Sequence, residues 1–293
     1  MRIWLTRVIG IAAVAAAMAL TAACASSTKT GQNPTTTAPR TSTSVPSTTT
    51  VPAPATVDVR VYFLHAEKID VAHRTVTATR QVATAAMSEL LAGPTAADTA
   101  AGMTTTIPSA TRLLGISIAG GVATVDLTGE FASGGGSLSM TGRLAQVTYT
   151  LTQFPTVKSV LFHIDGKAVT VFGGEGIILD HAATRATFES LTPPILVEFP
   201  GRGWAVQSPL QVAGSANVFE AQFQAEITDG TGRVIATRSI QAASGTGTRG
   251  SFAATIAFPA SATGPATLNV FDTSSKDGSR IDVVTIPLEL AGG

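Results

Sequence analysis

Apolar and polar positions alternate through "VDVRVYFLH" (Val57 to His65), the period-2 signature of a strand with one face on a core. A short loop is expected next. In "TRQVATAAMSELLAGP" the period lengthens: Val82, Ala86 and Leu90 recur at i, i+4 and i+8, with Ala83, Met87 and Leu91 beside them. That predicts an amphipathic helix, stopped at Gly93-Pro94. "RLLGISIAGGVATVDLT" returns to alternation, with Leu114, Ile116 and Ile118 on one strand and Ala123, Val125 and Leu127 on the next. Gly120-Gly121 between them suits the positive φ angles of a tight hairpin. Gly134-Gly135-Gly136 reads as a mobile loop. "LSMTGRLAQVTYTLTQFP" predicts a second helix, with Met140, Leu144, Val147 and Leu151 on one face and Pro155 closing it. "VKSVLFHIDGKAVTVF" predicts a last hairpin turning at Asp165-Gly166. The order β-α-β-β-α-β-β over residues 57–172 is an α+β domain with helices packed on a β-sheet.

A second pattern occupies residues 194–290. "PPILVEFP", "SPLQVAGSA", "FEAQFQAEITD", "RVIATRSIQAA", "GSFAATIAF", "ATLNVFDTS" and "IDVVTIPLEL" are seven short strand candidates, with turns at Asp229-Gly230 and Asp277-Gly278 among them. Such regular spacing predicts an all-β immunoglobulin-like sandwich. In "FEAQFQAEI" the residues Phe219, Ala221, Phe223, Ala225 and Ile227 are expected on one inward face. Residues 173–193 read as a connector, with a strand at Ile177 to Leu179 and a helical turn or two between Ala182 and Leu191.

The start of the chain follows neither period. Arg2 and Arg7 precede the apolar run "VIGIAAVAAAMAL", and small residues lead up to Cys24. This is the layout of an export signal over residues 1–23. Val8 to Ala23 is 16 residues, short of the roughly 20 that span a membrane as a helix. Residues 24–56 are mostly Ser, Thr and Pro with almost no large apolar side chain. Such a segment buries too little to offset its ordering entropy, so a disordered tether is expected. Its reach is on the order of 30 Å as a coil and about 100 Å if extended like polyproline.

Cys24 is the only cysteine, so no internal disulfide and no cysteine-rich metal site is open to the chain. "LTAAC" resembles a bacterial lipobox, with Thr21 where Leu is commonest. The resemblance implies a diacylglycerol thioether on Cys24, cleavage before it, and attachment to the extracytoplasmic face of the cell membrane. Two acyl chains hold far better than one, at about 0.8 kcal/mol per buried CH₂. Basic and acidic side chains number 19 each. No basic excess points to nucleic acid.

"VRVYFLH", "SELLAGP", "TIPSATRLLGISIAGGVATVDLT" and "VTYTLTQFPTVKSVLFHIDGKAV" together resemble the GerM-type domain of sporulation and germination lipoproteins. Pro200, Pro209, Gly214, "NVFEA" and "NVFDTSSKDG" resemble the immunoglobulin-like domain that accompanies it in spore-germination proteins. The resemblance implies an extracytoplasmic, non-enzymatic protein tied to envelope assembly or spore development. The partners expected are the membrane, through the lipid, and envelope proteins or cell-wall polymer.

A search for reactive groups leaves little. "GTGTRG" (Gly245 to Gly250) fits the dinucleotide-binding glycine pattern in letters, but an alternating strand follows where a helix is required, so a hairpin loop is expected. His65, His73, His163 and His181 lack ligand spacing; no metal and no cofactor is expected. His163 is expected to be packed or half-exposed on its strand. Asp126 with Glu130, and Glu175 with Asp180, are the acidic pairs a wall hydrolase would need; Asp180-His181 is adjacent in sequence only. Glu220 is the other carboxylate of note, a candidate for satisfying backbone donors within the sandwich. Trp204 is either a binding aromatic or a cover over one end of the sandwich. The leading expectation is a non-catalytic binding or scaffold lipoprotein. Its rivals are a peptidoglycan hydrolase, with two converging carboxylates, and a carrier with an enclosed apolar pocket.

Overall fold

The computed structural model describes residues 54–174 and 176–292. Cys24, the export segment and most of the tether lie outside the described residues, as does Glu175. Contacts divide the chain into Met1–Val51 and Pro52–Gly293, and every element below belongs to the second unit.

The N-terminal body contains β1 (Thr56–His65), β2 (Lys68–Thr77), α1 (Val82–Ala92), α2 (Ala96–Ala100), β3 (Met103–Thr104), β4 (Leu113–Ala119), β5 (Val122–Leu127), α3 (Ser137–Leu151), β6 (Ser159–Ile164), β7 (Lys167–Ala168), β8 (Val171–Phe172) and β9 (Ile177–Ile178). The α+β class holds, but the helices pack on more than one sheet. One sheet has the order β2-β1-β3 and another β4-β5-β6-β7, with β8-β9 a separate ribbon. β5 and β6 are parallel, because α3 carries the chain from one to the other.

Strand β2 lies where a short loop was expected. Its hairpin turns at Ala66 and Glu67, both at positive φ (47° and 64°), so the turn carries neither glycine nor asparagine. Adjacent Val71 and Ala72 are both buried, which blurs the alternation. On β4 a bulge between Leu113 and Gly115 throws Leu114 out of register, 52% exposed, while Ile116 stays opposite Val125. Asp165 and Gly166 turn the β6-β7 hairpin at positive φ, as expected.

Helix α3 is buried on almost every side. Met140, Leu144, Val147 and Leu151 enter the core, but so do Arg143, Gln146, Thr148 and Thr150. The polar side chains have definite work. β1 pairs with β2 along one edge and with β3 only at Leu64 and His65, so Arg60 and Tyr62 present open backbone groups on the other edge. Gln153 accepts from Arg60 N (2.7 Å) and donates to Arg60 O (2.6 Å). Thr150 Oγ1 accepts from Tyr62 N (3.3 Å), and Gln146 Nε2 donates to Tyr62 O (3.2 Å). Gln146 and Thr150 share one stripe of the helix, and Gln153 follows just past its C-terminal end. Together they close the strand edge as a further strand otherwise would.

Arg143 fastens the triple-glycine loop. Its guanidinium donates to the carbonyls of Thr106 (2.8 Å), Phe131 (2.8 Å), Ser133 (2.8 Å) and Gly134 (2.7 Å). The loop is thus tied to α3 rather than free of it.

The C-terminal body contains β10 (Ile195–Phe199), β11 (Ala205–Val206), β12 (Leu210–Ala216), β13 (Gln222–Asp229), β14 (Val234–Gln241), β15 (Gly250–Ile256), β16 (Thr263–Thr273) and β17 (Arg280–Ala291). All seven expected strands form, with β11 added parallel to β17. Sheets β10-β12-β15 and β11-β17-β16-β13-β14 enclose Val212, Phe223, Ala225, Ile227, Phe252, Leu268 and Ile286. Phe219 departs from the expected face. Phe219–Ala221 is a 3-10 turn, Glu220 and Ala221 have φ of 53° and 59°, and the ring points outward.

Residues between the bodies fill the first core. Leu179, Ala183, Phe188 and Leu191 are buried there with Leu196 of β10. The expected short strand and helical turns are β9 and a 3-10 segment, Arg185–Leu191.

Candidate functional site

A cluster of part-buried charge lies where the two bodies meet. β1 is extended, so Arg60 and Tyr62 leave it on the same side. β10 brings Glu198 up to them, and the 3-10 segment brings Arg185. Arg185 Nη1 donates to Glu198 Oε1 at 2.8 Å, and Arg60 Nη1 lies 3.8 Å from Glu198 Oε2. The Tyr62 hydroxyl donates to Glu198 and accepts from Arg185 Nη2 (3.1 Å). The Arg185 guanidinium also lies over the rings of Tyr149 (4.7 Å) and Tyr62 (5.3 Å).

Burial alone pushes the Glu198 carboxyl up, but Arg185 and Arg60 beside it outweigh burial and hold it below the usual range. Burial and the Glu198 charge both push the Tyr62 phenol up, so it stays a proton donor. Burial works against the Arg185 cation, but Tyr62 and Glu198 more than compensate. The cluster is a buried anion shared by two cations and a phenol, with its strong acceptors and donors matched to one another.

Further ties flank it. His73 Nδ1 is bonded to Asp58 (2.7 Å) and Nε2 to the Glu198 carbonyl (3.0 Å), so both ring nitrogens are engaged. Trp204 meets the His73 ring at 4.6 Å and Phe199 at 5.2 Å. Gly201 is required here, since a Cβ there would come within 2.6 Å of the indole. Arg202 donates to Asp70 (3.0 Å) and to the Thr285 carbonyl (2.8 Å). Arg249 reaches Glu189 (2.9 Å) and the Pro193 carbonyl (2.7 Å), and Asn217 donates to Glu189 (2.9 Å).

Beside this seam is an open cleft of about 570 Å³. Ile69, Ile195, Val197 and Pro287 form apolar walls; Lys68, Asp70 and Arg202 stand among them. Lys68 Nζ donates to the Ser190 carbonyl at 2.7 Å.

The residues nominated from sequence are scattered. Asp126 accepts from Gly166 N (3.0 Å) in the β6-β7 turn. Glu130 is at the surface, its carboxyl lowered by bonds to the Thr128 side chain and its own N–H. Asp180 pairs with His181 (2.6 Å) in full exposure. Among the described residues no three His, Cys, Asp or Glu converge as metal ligands. His163 is half-buried on β6, as expected. "GTGTRG" joins β14 to β15 without forming the expected hairpin: the two strands belong to different sheets, so the loop crosses from one sheet of the sandwich to the other, and its Arg249 is one of the ties. Glu220 bonds through its backbone, its N–H to Thr246 Oγ1 (3.0 Å) and its carbonyl to Gln241 Nε2 (3.2 Å). Trp204 covers the end of the sandwich and also touches the first body. Sequence reasoning missed Glu198, Arg185, Arg60 and Tyr62. The one signal available was Glu198 itself, a carboxylate inside the apolar string "ILVEF".

Comparison with known families matches two in succession. The Germane family, "Sporulation and spore germination", covers residues 60–170. The Gmad2 family, "Immunoglobulin-like domain of bacterial spore germination", covers residues 194–279. Neither description names an enzymatic activity. Among solved structures, the tandem GerMN domains of the sporulation protein GerM from Bacillus subtilis are similar at 14% identity and a TM-score of 0.39, covering 63% of this chain and 60% of that one. The chain therefore spans less than two thirds of that structure. The first GerMN domain of the same protein gives 20% identity and a TM-score of 0.36 over 44% of this chain and 98% of that one. No curated protein matches.

Proposed function

From the premise that this chain carries a Germane domain followed by a Gmad2 immunoglobulin-like domain, we propose a non-catalytic binding or scaffold lipoprotein. It is anchored through Cys24 on the extracytoplasmic face of the cell membrane. The Ser/Thr/Pro segment lifts the two domains off the bilayer, and they act in envelope assembly or in sporulation- or germination-like processes. The observation that carries this reading is the seam. Its buried charges are spent on one another across the two bodies, so they join the domains rather than face a substrate. A two-domain head of fixed geometry suits a part that other molecules assemble on.

The experiment pairs fractionation with turnover. Wild type is expected in the membrane fraction and Cys24→Ala in the soluble fraction or medium. The purified chain, incubated with insoluble cell wall, is expected to release no soluble fragments. Release that a single acidic substitution abolishes overturns the reading in favour of a hydrolase.

A further inference from the structure

Phe219 is the only exposed phenylalanine, tyrosine or tryptophan among the described residues, at 66%. The alternation of "FEAQFQAEI" would turn it inward with Phe223. Instead Glu220 and Ala221, neither of them glycine, take consecutive left-handed conformations and turn it out. Such backbone is costly and persists where its surroundings over-determine it. They do so here. Thr246 N donates to Val218 O (2.9 Å), and Thr246 Oγ1 accepts from Glu220 N (3.0 Å). Ala242 N donates to Ala221 O (2.9 Å), and Gly247 N donates to Asn217 Oδ1 (2.9 Å). Gly245 fits so closely that a Cβ would lie 2.5 Å from Val218 O. The glycines and Thr246 of "GTGTRG" thus clamp the turn that presents Phe219.

The ring stands at the end of a groove of about 290 Å³. Gln222 and Gln224 project from one face of β13, Ser239 lies opposite Gln224 on β14, and Asp272 adjoins them from β16. Glu220 completes the wall. One exposed aromatic face beside amide, hydroxyl and carboxylate groups matches a ring ligand with an apolar C–H face and a rim of hydroxyls. Two carboxylates disfavour an anion.

We propose that this groove is a saccharide-binding subsite for a neutral or amino-bearing glycan chain, with Phe219 as the stacking platform. This names a ligand class for the binding reading and depends on it.

The purified full chain is titrated calorimetrically with chitohexaose, cellohexaose and maltohexaose, with dextran sulfate as the anionic control. At least one neutral hexasaccharide binds saturably, and dextran sulfate does not. Phe219→Ala weakens binding at least tenfold, Gln224→Ala at least threefold, and Phe219→Trp retains or tightens it. The circular dichroism and melting midpoint of all three variants stay with wild type, since the altered side chains are exposed. The proposal is overturned if no neutral saccharide binds at millimolar concentration, if dextran sulfate competes for the same site, or if Phe219→Ala leaves affinity unchanged. A photo-crosslinker at position 219 that captures a protein, with no saccharide binding, also overturns it. Wall turnover by the chain would undo the non-catalytic reading while leaving binding at Phe219 in place.

Discussion

At the scale of single residues, buried polar groups mark where this fold is committed. Glu198 is the one counter-charge shared by two guanidiniums, so Glu198→Gln leaves Arg185 and Arg60 without it. Breaking one side of a buried pair costs on the order of 3 kcal/mol, and urea denaturation is expected to give about that loss. The pH dependence follows from the sign of the shift. Folded Glu198 is held below its ordinary value of 4.5, so its contribution is present above about pH 4.5 and is lost as pH falls through the lower folded value. Wild-type stability therefore drops on acidification, and Glu198→Gln flattens that drop; an unchanged slope would remove Glu198 from the account. Thr148 makes the opposite case. Its hydroxyl is buried in α3 without a hydrogen-bond partner among the described residues. Thr148→Val keeps the shape and removes the unsatisfied group, so the melting midpoint should hold or rise. A loss above about 1 kcal/mol would reveal a hydrogen bond made by that hydroxyl.

At the scale of elements, helix α3 shows what a sequence exposes and what it withholds. Its existence and apolar face were legible from Met140, Leu144, Val147 and Leu151. The duty of its polar stripe was not, because that duty is defined by the open edge of β1, some 80 to 90 residues away. Gln146→Leu removes the donor to Tyr62 O and the acceptor for Thr106 N (3.1 Å). A cost of about 2–4 kcal/mol by urea denaturation is expected. Little or no change would mean that β1 does not need the helix to close its edge. Sandwich strands such as β12, β13 and β15 were legible because they alternate over a half-buried face. β2 was hidden by a hairpin turn built from Ala66 and Glu67, which carry no turn signature. Phe219 was misplaced because nothing local announces two consecutive left-handed residues; their support comes from a loop 26 residues on. The seam was hidden for the same reason. Its charges come from β1, the 3-10 segment and β10, and only the packed structure brings them together.

At the scale of the whole molecule, the central claim is that two spore-germination-type domains form one head that holds partners and performs no chemistry. The connector is part of the first core, and the seam ties β1, β2 and the 3-10 segment to the sandwich. Arg249 adds a tie from the far end of "GTGTRG". A partner meeting this head therefore meets both domains in a fixed relation. The measurement that bears most directly on this is crosslinking on intact cells, with attached molecules identified by mass spectrometry, for wild type, Cys24→Ala and Glu198→Gln. The account predicts a reproducible envelope partner on wild type. That partner should be lost when the anchor is removed and reduced when the seam is weakened. Wild type with no attached partner, together with soluble wall fragments released in proportion to the protein present, would contradict it.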